Sequence, residues 1–163
     1  MGLRRVPAVS PHTEPESVPG TRELRWRGRR LHLLIVDDND DAREMLSVAV
    51  TLGGHTSETA AGGFEAIERA LGGAHDAIFL DVGLPDIEGY EVARRIRAAL
   101  GAARPLLIAL TGYSGPDEEE RAKSAGFDVR MSKPVELEDI ARVLSQVPPR
   151  PVSAMPLQPF ASR

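Results

Sequence analysis

Short apolar runs and helically spaced apolar positions alternate along this chain from Leu31 onward. Leu33-Leu34-Ile35-Val36, Ala77-Ile78-Phe79-Leu80 and Leu106 to Leu110 are continuous apolar runs bounded by turn residues, the pattern of strands covered on both faces. Val129 to Ser132 reads as a further strand, and the more polar His55 to Ala60 suits a sheet edge. Between them the period changes. Asp41 to Leu52 places Ala42, Met45, Leu46, Ala49 and Leu52 at helical spacing and stops at Gly53-Gly54. Phe64 to Leu71 carries Ile67 and Leu71 on its stripe, and Gly89 to Leu100 carries Val92, Ala93, Ile96 and Leu100. Asp117 to Ala125 begins with four acids, which suit the positive end of a helix dipole, and Gly126 ends it. Leu137 to Leu144 presents Leu137, Ile140, Ala141 and Leu144 inward. Five strands and five helices in strict alternation predict βαβ units, hence an α/β domain with an open parallel sheet, over residues 31–146.

The flanks differ in composition. Residues 1–30 read as a flexible arm, rich in Pro, Ser, Glu and Thr and ending in the arginine run of residues 21–30, which reads as a solvated linker. Residues 147–163 hold prolines at 148, 149, 151, 156 and 159 and read as an extended or disordered tail. A chain of 163 residues, 42% hydrophobic, has room for one domain with a core. A net charge of -4 argues against a general nucleic-acid binder. With no cysteine, thiolate metal sites and thiol nucleophiles are excluded, and a reducing compartment is suited. No apolar run is long enough to insert into a membrane, and a cytoplasmic protein is expected.

The strands end in reactive residues. Asp37 and Asp38 follow the first, Asp81 ends the third, Thr111 follows the fourth and Lys133 the fifth. In an open α/β sheet, ligands bind just beyond the carboxyl ends of the strands, so these groups would converge on a single pocket. Three carboxylates without His or Cys suit a hard cation such as Mg²⁺, whose shell is usually completed by water and phosphate oxygens. Asp81 could then attack phosphorus while Lys133 balances the charge of the transferred group and Thr111 bonds one of its oxygens. Each part has a plainer reading: the acids as helix or turn caps, Thr111 as turn chemistry, Lys133 as a surface residue. It is their conjunction on separate strands that points to an aspartyl-phosphate site. The four histidines, His12, His32, His55 and His75, have no metal-ligand spacing and are given no chemistry.

Leu34-Ile35-Val36-Asp37-Asp38, Phe79-Leu80-Asp81 with Leu84-Pro85-Asp86 and Gly89-Tyr90, Leu110-Thr111-Gly112 and Lys133-Pro134 together resemble a response-regulator receiver domain. The resemblance implies a flavodoxin-like doubly wound (βα)5 sandwich with strand order 2-1-3-4-5. It implies that Asp81 accepts phosphate from a histidine kinase or a phosphotransfer protein, switching the binding of a downstream effector. It also implies that Asp38, Asp81 and the backbone carbonyl of Gly83 ligate Mg²⁺, with Asp37 acting through water, and that the peptide before Pro134 is cis. One position departs from the family pattern: Arg130 stands where an aromatic or histidine usually serves as the switch residue. A guanidinium favours an outward or ion-paired placement, and the expectation is an ion pair with an acid of the fourth helix, such as Glu119 or Glu120, that forms or breaks when Asp81 is modified. Other readings are a receiver-fold interaction module that is never phosphorylated, and a phosphohydrolase with an aspartyl nucleophile. Against the second, the nucleophile follows the third strand rather than the first, and no lid segment is present.

Overall fold

The computed structural model describes residues 28–102 and 105–149. The chain runs β1 (His32–Val36), α1 (Asp40–Leu52), β2 (Thr56–Ala60), α2 (Gly63–Gly72), β3 (Ala77–Asp81), α3 (Gly89–Leu100), β4 (Leu106–Thr111), α4 (Pro116–Ala125), β5 (Val129–Ser132) and α5 (Leu137–Leu144). All strand pairs are parallel, in the order β2-β1-β3-β4-β5. The sequence-based order and element count therefore hold. The more polar strand is at one edge, and every residue of the central β3 is buried.

Successive side chains of a strand point to opposite faces, so each apolar run supplies two cores. Leu34, Val36, Ile78, Leu80 and Leu107 pack with Ala66, Ala70, Val92 and Ile96 under α2 and α3. Leu33, Ile35, Phe79, Ile108 and Leu110 pack with Leu46, Val50, Ile140 and Val143 under α1 and α5. Burying one such Leu, Ile or Phe side chain contributes roughly 1.5–3 kcal/mol, so these central strands hold the sheet rigid beneath whatever their ends carry.

Several helix positions expected to face inward do not. Met45 is 69% exposed and Leu52 59%, while Leu46 and Val50 are buried. α1 carries two neighbouring apolar stripes, and only the one through Leu46 and Val50 lies over the sheet. Leu71, Leu100 and Leu137 are also exposed, each at a helix end that overhangs the short strands. The flanks also differ from expectation. Arg29, assigned to the arm, stays exposed but donates to Asp76 at 3.0 Å and to the Pro148 carbonyl at 3.1 Å. Val147, assigned to the tail, packs against the α1/α5 core. The remainder of both flanks, residues 1–27 and 150–163, lies outside the described residues.

Candidate functional site

Asp37, Asp38, Asp81, Thr111 and Lys133 all stand at the carboxyl rim of the sheet. β1 ends at Val36, β3 at Asp81, β4 at Thr111 and β5 at Ser132, so each functional side chain follows or closes a buried strand. The Lys133 ammonium lies 2.8 Å from Asp37 Oδ2 and 3.1 Å from Asp81 Oδ2. One cation is thus shared by carboxylates from two strands, and it comes from a third. Burial opposes the charge on Lys133, but hydrogen bonds to Asp37 and Asp81 outweigh it and raise the ammonium above its usual range. Asp81 Oδ1 accepts from the Gly83 N–H at 3.0 Å, and Asp37 Oδ1 accepts from the Asn39 N–H at 2.9 Å.

The plain reading of the acidic pair as a helix cap does not describe this geometry. Asn39 caps α1, its side chain accepting from the Ala42 N–H at 3.0 Å, with Asp40 and Asp41 in the first turn. Asp37 is buried and Asp38 exposed, and oxygens of Asp37, Asp38 and Asp81 lie within 4.8 Å of one another. Three carboxylates beside one ammonium leave two negative charges at an all-oxygen cluster. That donor set and charge fit a hard divalent cation. The peptide between Lys133 and Pro134 is cis, as the resemblance implies.

Thr111 is almost fully buried and turned into its own turn. Its hydroxyl donates to the Tyr113 carbonyl at 3.3 Å and accepts from the Tyr113 N–H at 3.1 Å. Arg130 donates to that same carbonyl at 3.2 Å. With Asp81 unmodified, Arg130 makes no ion pair among the described residues. The reason is local: β5 runs alongside β4 with Ala109 opposite Arg130, and the guanidinium reaches the turn that follows β4 before it reaches α4.

Two residues shape the rim without belonging to it. Asp86 accepts from the Gly63 N–H at 2.9 Å and the Phe64 N–H at 3.0 Å, capping α2 from the loop after β3. The signal for it was the Gly62-Gly63 start of that helix, which offers no capping side chain of its own. Gly89 lies directly against the end of β3: a Cβ there would collide with the Asp81 carbonyl oxygen and the Val82 Cα. Only glycine lets α3 begin this close to Asp81.

Residues 33–145 match the model of the response regulator receiver domain. The chain belongs to that family. This receiver is 32% identical over 146 residues to a sensor histidine kinase, AtsR, of Burkholderia thailandensis, covering 83% of the chain and 24% of the relative. It is 36% identical over 110 residues to the response regulator MprA of Mycobacterium ulcerans, covering 68% of the chain and 47% of the relative. The receiver therefore spans less than half the length of these curated relatives. Among solved structures, the receiver domain of a Pseudomonas aeruginosa sensor histidine kinase, with magnesium in its active-site cleft, superposes with a TM-score of 0.67 at 28% identity, covering 73% of this receiver and 98% of that chain. The receiver domain of the Saccharomyces cerevisiae response regulator Ssk1, solved with the phosphotransfer protein Ypd1, gives 0.68 at 26% identity, covering 72% and 88% respectively.

Proposed function

We propose that this receiver takes a phosphoryl group onto Asp81 from a histidine kinase or a phosphotransfer protein, and that the modification changes its binding of a downstream partner. The observation that carries this reading is the Lys133 ammonium shared between Asp37 and Asp81. Such an arrangement is well suited to receive an anion: the cation is already at the nucleophile, and an incoming phosphoryl oxygen can take it over without a side chain being imported. Asp81 supplies the attacking oxygen. The bond formed is O–P, the bond broken is P–N of the donor phosphohistidine, and its electron pair leaves on the imidazole nitrogen. Attack of water on phosphorus later returns the carboxylate and releases inorganic phosphate. The only turnover proposed is this one, on the protein's own side chain.

Asp38, Asp81 and the Gly83 carbonyl would hold Mg²⁺, with Asp37 reaching it through water. The ion supplies neutralisation of the charge that otherwise repels an anionic donor from three carboxylates. Thr111 would exchange the Tyr113 carbonyl for a phosphoryl oxygen. Arg130 holds that same carbonyl, so release by Thr111 is felt at once by the residue standing at the family's switch position.

A groove of about 430 Å³ opens at Asp37 and Lys133 and runs between α1 and α5, walled by Met45, Val48, Leu52 and Leu137. These four side chains are 69%, 52%, 59% and 48% exposed. An apolar trough ending at the acceptor suits an amphipathic helix that carries the phosphohistidine. A cytoplasmic setting fits such donors and the cysteine-free composition. Among the described residues no helix is long and apolar enough to cross a membrane.

The test is incubation with acetyl phosphate and Mg²⁺, read by intact mass. The wild-type chain should gain a single phosphoryl group, and Asp81→Asn or omission of Mg²⁺ should abolish the gain. An unmodified wild-type chain would mean an interaction module that is never phosphorylated. Sustained turnover of free phosphate esters would mean a hydrolase.

A further inference from the structure

At the opposite rim of the sheet, the start of β1, the middle of β2 and the loop before β3 bring His32, Glu58 and His75 together. One donor atom from each lies within 4.8 Å of the others. His32 Nε2 is 3.1 Å from Glu58 Oε1, and His75 Nε2 is 3.5 Å from Glu58 Oε2. The register explains the meeting: His32 pairs with Thr56, and Glu58 stands two residues further on the same face. The two imidazoles stack with centroids 4.9 Å apart. We propose that His32, Glu58 and His75 form a second metal site, for a borderline-soft divalent cation of the zinc(II) class.

The hydrogen bonds around His32 favour a cation there. The Thr56 hydroxyl lies 3.3 Å from the Leu31 carbonyl, to which it can donate, and 3.0 Å from His32 Nδ1. In the tautomer that donates from Nδ1 to Thr56, the Nε2 lone pair faces a carboxylate oxygen. A metal ion placed between that lone pair and Glu58 Oε1, 3.1 Å apart, would satisfy both. A ligating imidazole whose other nitrogen donates to an oxygen is the usual outer-shell arrangement of zinc sites. Two imidazole nitrogens and one carboxylate oxygen select zinc-class ions over Mg²⁺, in contrast to the all-oxygen cluster at the other rim.

The cluster has a buried side and an open side. His75 is buried, and a Cβ on Gly73 would lie 2.9 Å from its Nδ1, so glycine leaves the space the ring fills. His32 and Glu58 are partly exposed, which lets water complete the shell. Ligands at zinc–nitrogen distances of about 2.0–2.1 Å stand closer together than the present spacing. Binding therefore draws in His32, the less buried of the two rings. Arg69 competes for the carboxylate, lying 3.7 Å from Glu58 Oε2, but it also holds Glu65 at 2.8 Å and keeps that partner when the ion takes Glu58. A bound ion would tie the edge strand β2 to β1 and to the loop that leads into β3.

Calorimetric titration of the full chain with Zn²⁺, in millimolar Mg²⁺ to fill the oxygen site, tests this. The expected result is a single tight equivalent, a visible d–d spectrum when Co²⁺ replaces Zn²⁺, and shifted imidazole resonances for His32 and His75. His75 variants risk misfolding, so His32→Gln and Glu58→Gln carry the test. Each should weaken Zn²⁺ binding at least about tenfold, the loss seen even for outer-shell partners of zinc ligands, while Asp81→Asn binds as the wild type does. The proposal is overturned if Zn²⁺ fails to bind in Mg²⁺, if binding survives both substitutions, or if Asp81→Asn removes it.

Discussion

The two rims of one sheet use charge in opposite ways. At the amino rim of β4 and β5, Arg97 donates to the Gly126 and Pro105 carbonyls at 2.8 Å each and pairs with Asp128. Asp128 in turn accepts from the Leu107 N–H at 2.7 Å. Those ions are consumed by backbone groups and hold α3 against the strands. At the carboxyl rim the ions face one another across a shared space, and Lys133 is divided between acids of two other strands. Placement in the fold is thus not what makes a charge functional. What matters is the cation's set of partners: Arg97 is held by two backbone carbonyls besides Asp128, whereas Lys133 has two carboxylates and can exchange one for another anion.

Substitutions at the two rims should accordingly separate activity from stability. Lys133→Ala should give the largest effect, slowing modification of Asp81 by acetyl phosphate about 10²-fold, the scale for losing one preorganised charge-stabilising donor. Stopped-flow or mass kinetics would read it, and a rate within a factor of a few of wild type would erase the contrast. Arg97→Ala should do the reverse, lowering unfolding free energy in urea by roughly 2–3 kcal/mol, as expected for losing hydrogen bonds to a charged group, with Asp81 still modified. Gly89→Ala crosses between the classes. Its Cβ would collide with backbone at Asp81 and Val82, so a loss of roughly 1–3 kcal/mol from overpacking should accompany slower modification.

Asp86 gives the smallest and most pH-specific effect. Removing its cap of α2 by Asp86→Ala should cost about 1 kcal/mol. Partial burial opposes ionisation of Asp86, but the Gly63 and Phe64 N–H groups outweigh it and hold the carboxyl below its usual range. A depressed carboxyl stabilises the fold above the ordinary aspartate value of about 3.9, and that contribution disappears as pH falls through the lower folded-state value. Wild type and Asp86→Ala should therefore differ in stability at neutral pH and converge in acid. Parallel urea titrations at the two pH values check it.

Much of this was legible in the chain because burial on both faces forces long apolar runs, and such runs fix strand number, strand ends and hence the rim that carries Asp37, Asp81, Thr111 and Lys133. Periodicity was less able to orient α1, since adjacent apolar stripes have the same spacing. It could not tell that Leu46 and Val50 face the sheet while Met45 and Leu52 wall a groove. Interactions between residues far apart in sequence were also out of reach. Asp86 reads as part of a turn until the uncapped start of α2 is placed beside it. His32 and His75 read as isolated until the register sets Glu58 between their nitrogens. Arg130 illustrates a third limit: side-chain chemistry argued for an outward or ion-paired placement, and could not name the Tyr113 carbonyl, 3.2 Å away, as its partner.

The bond from Arg29 to the Pro148 carbonyl has a consequence for how such a unit is built into larger proteins. It brings the incoming and outgoing polypeptide to one corner, near Asp76 and away from Asp81. Whatever the chain carries beyond the described residues is therefore tethered at a single corner, on the side of the sheet remote from Asp37, Asp81 and Lys133.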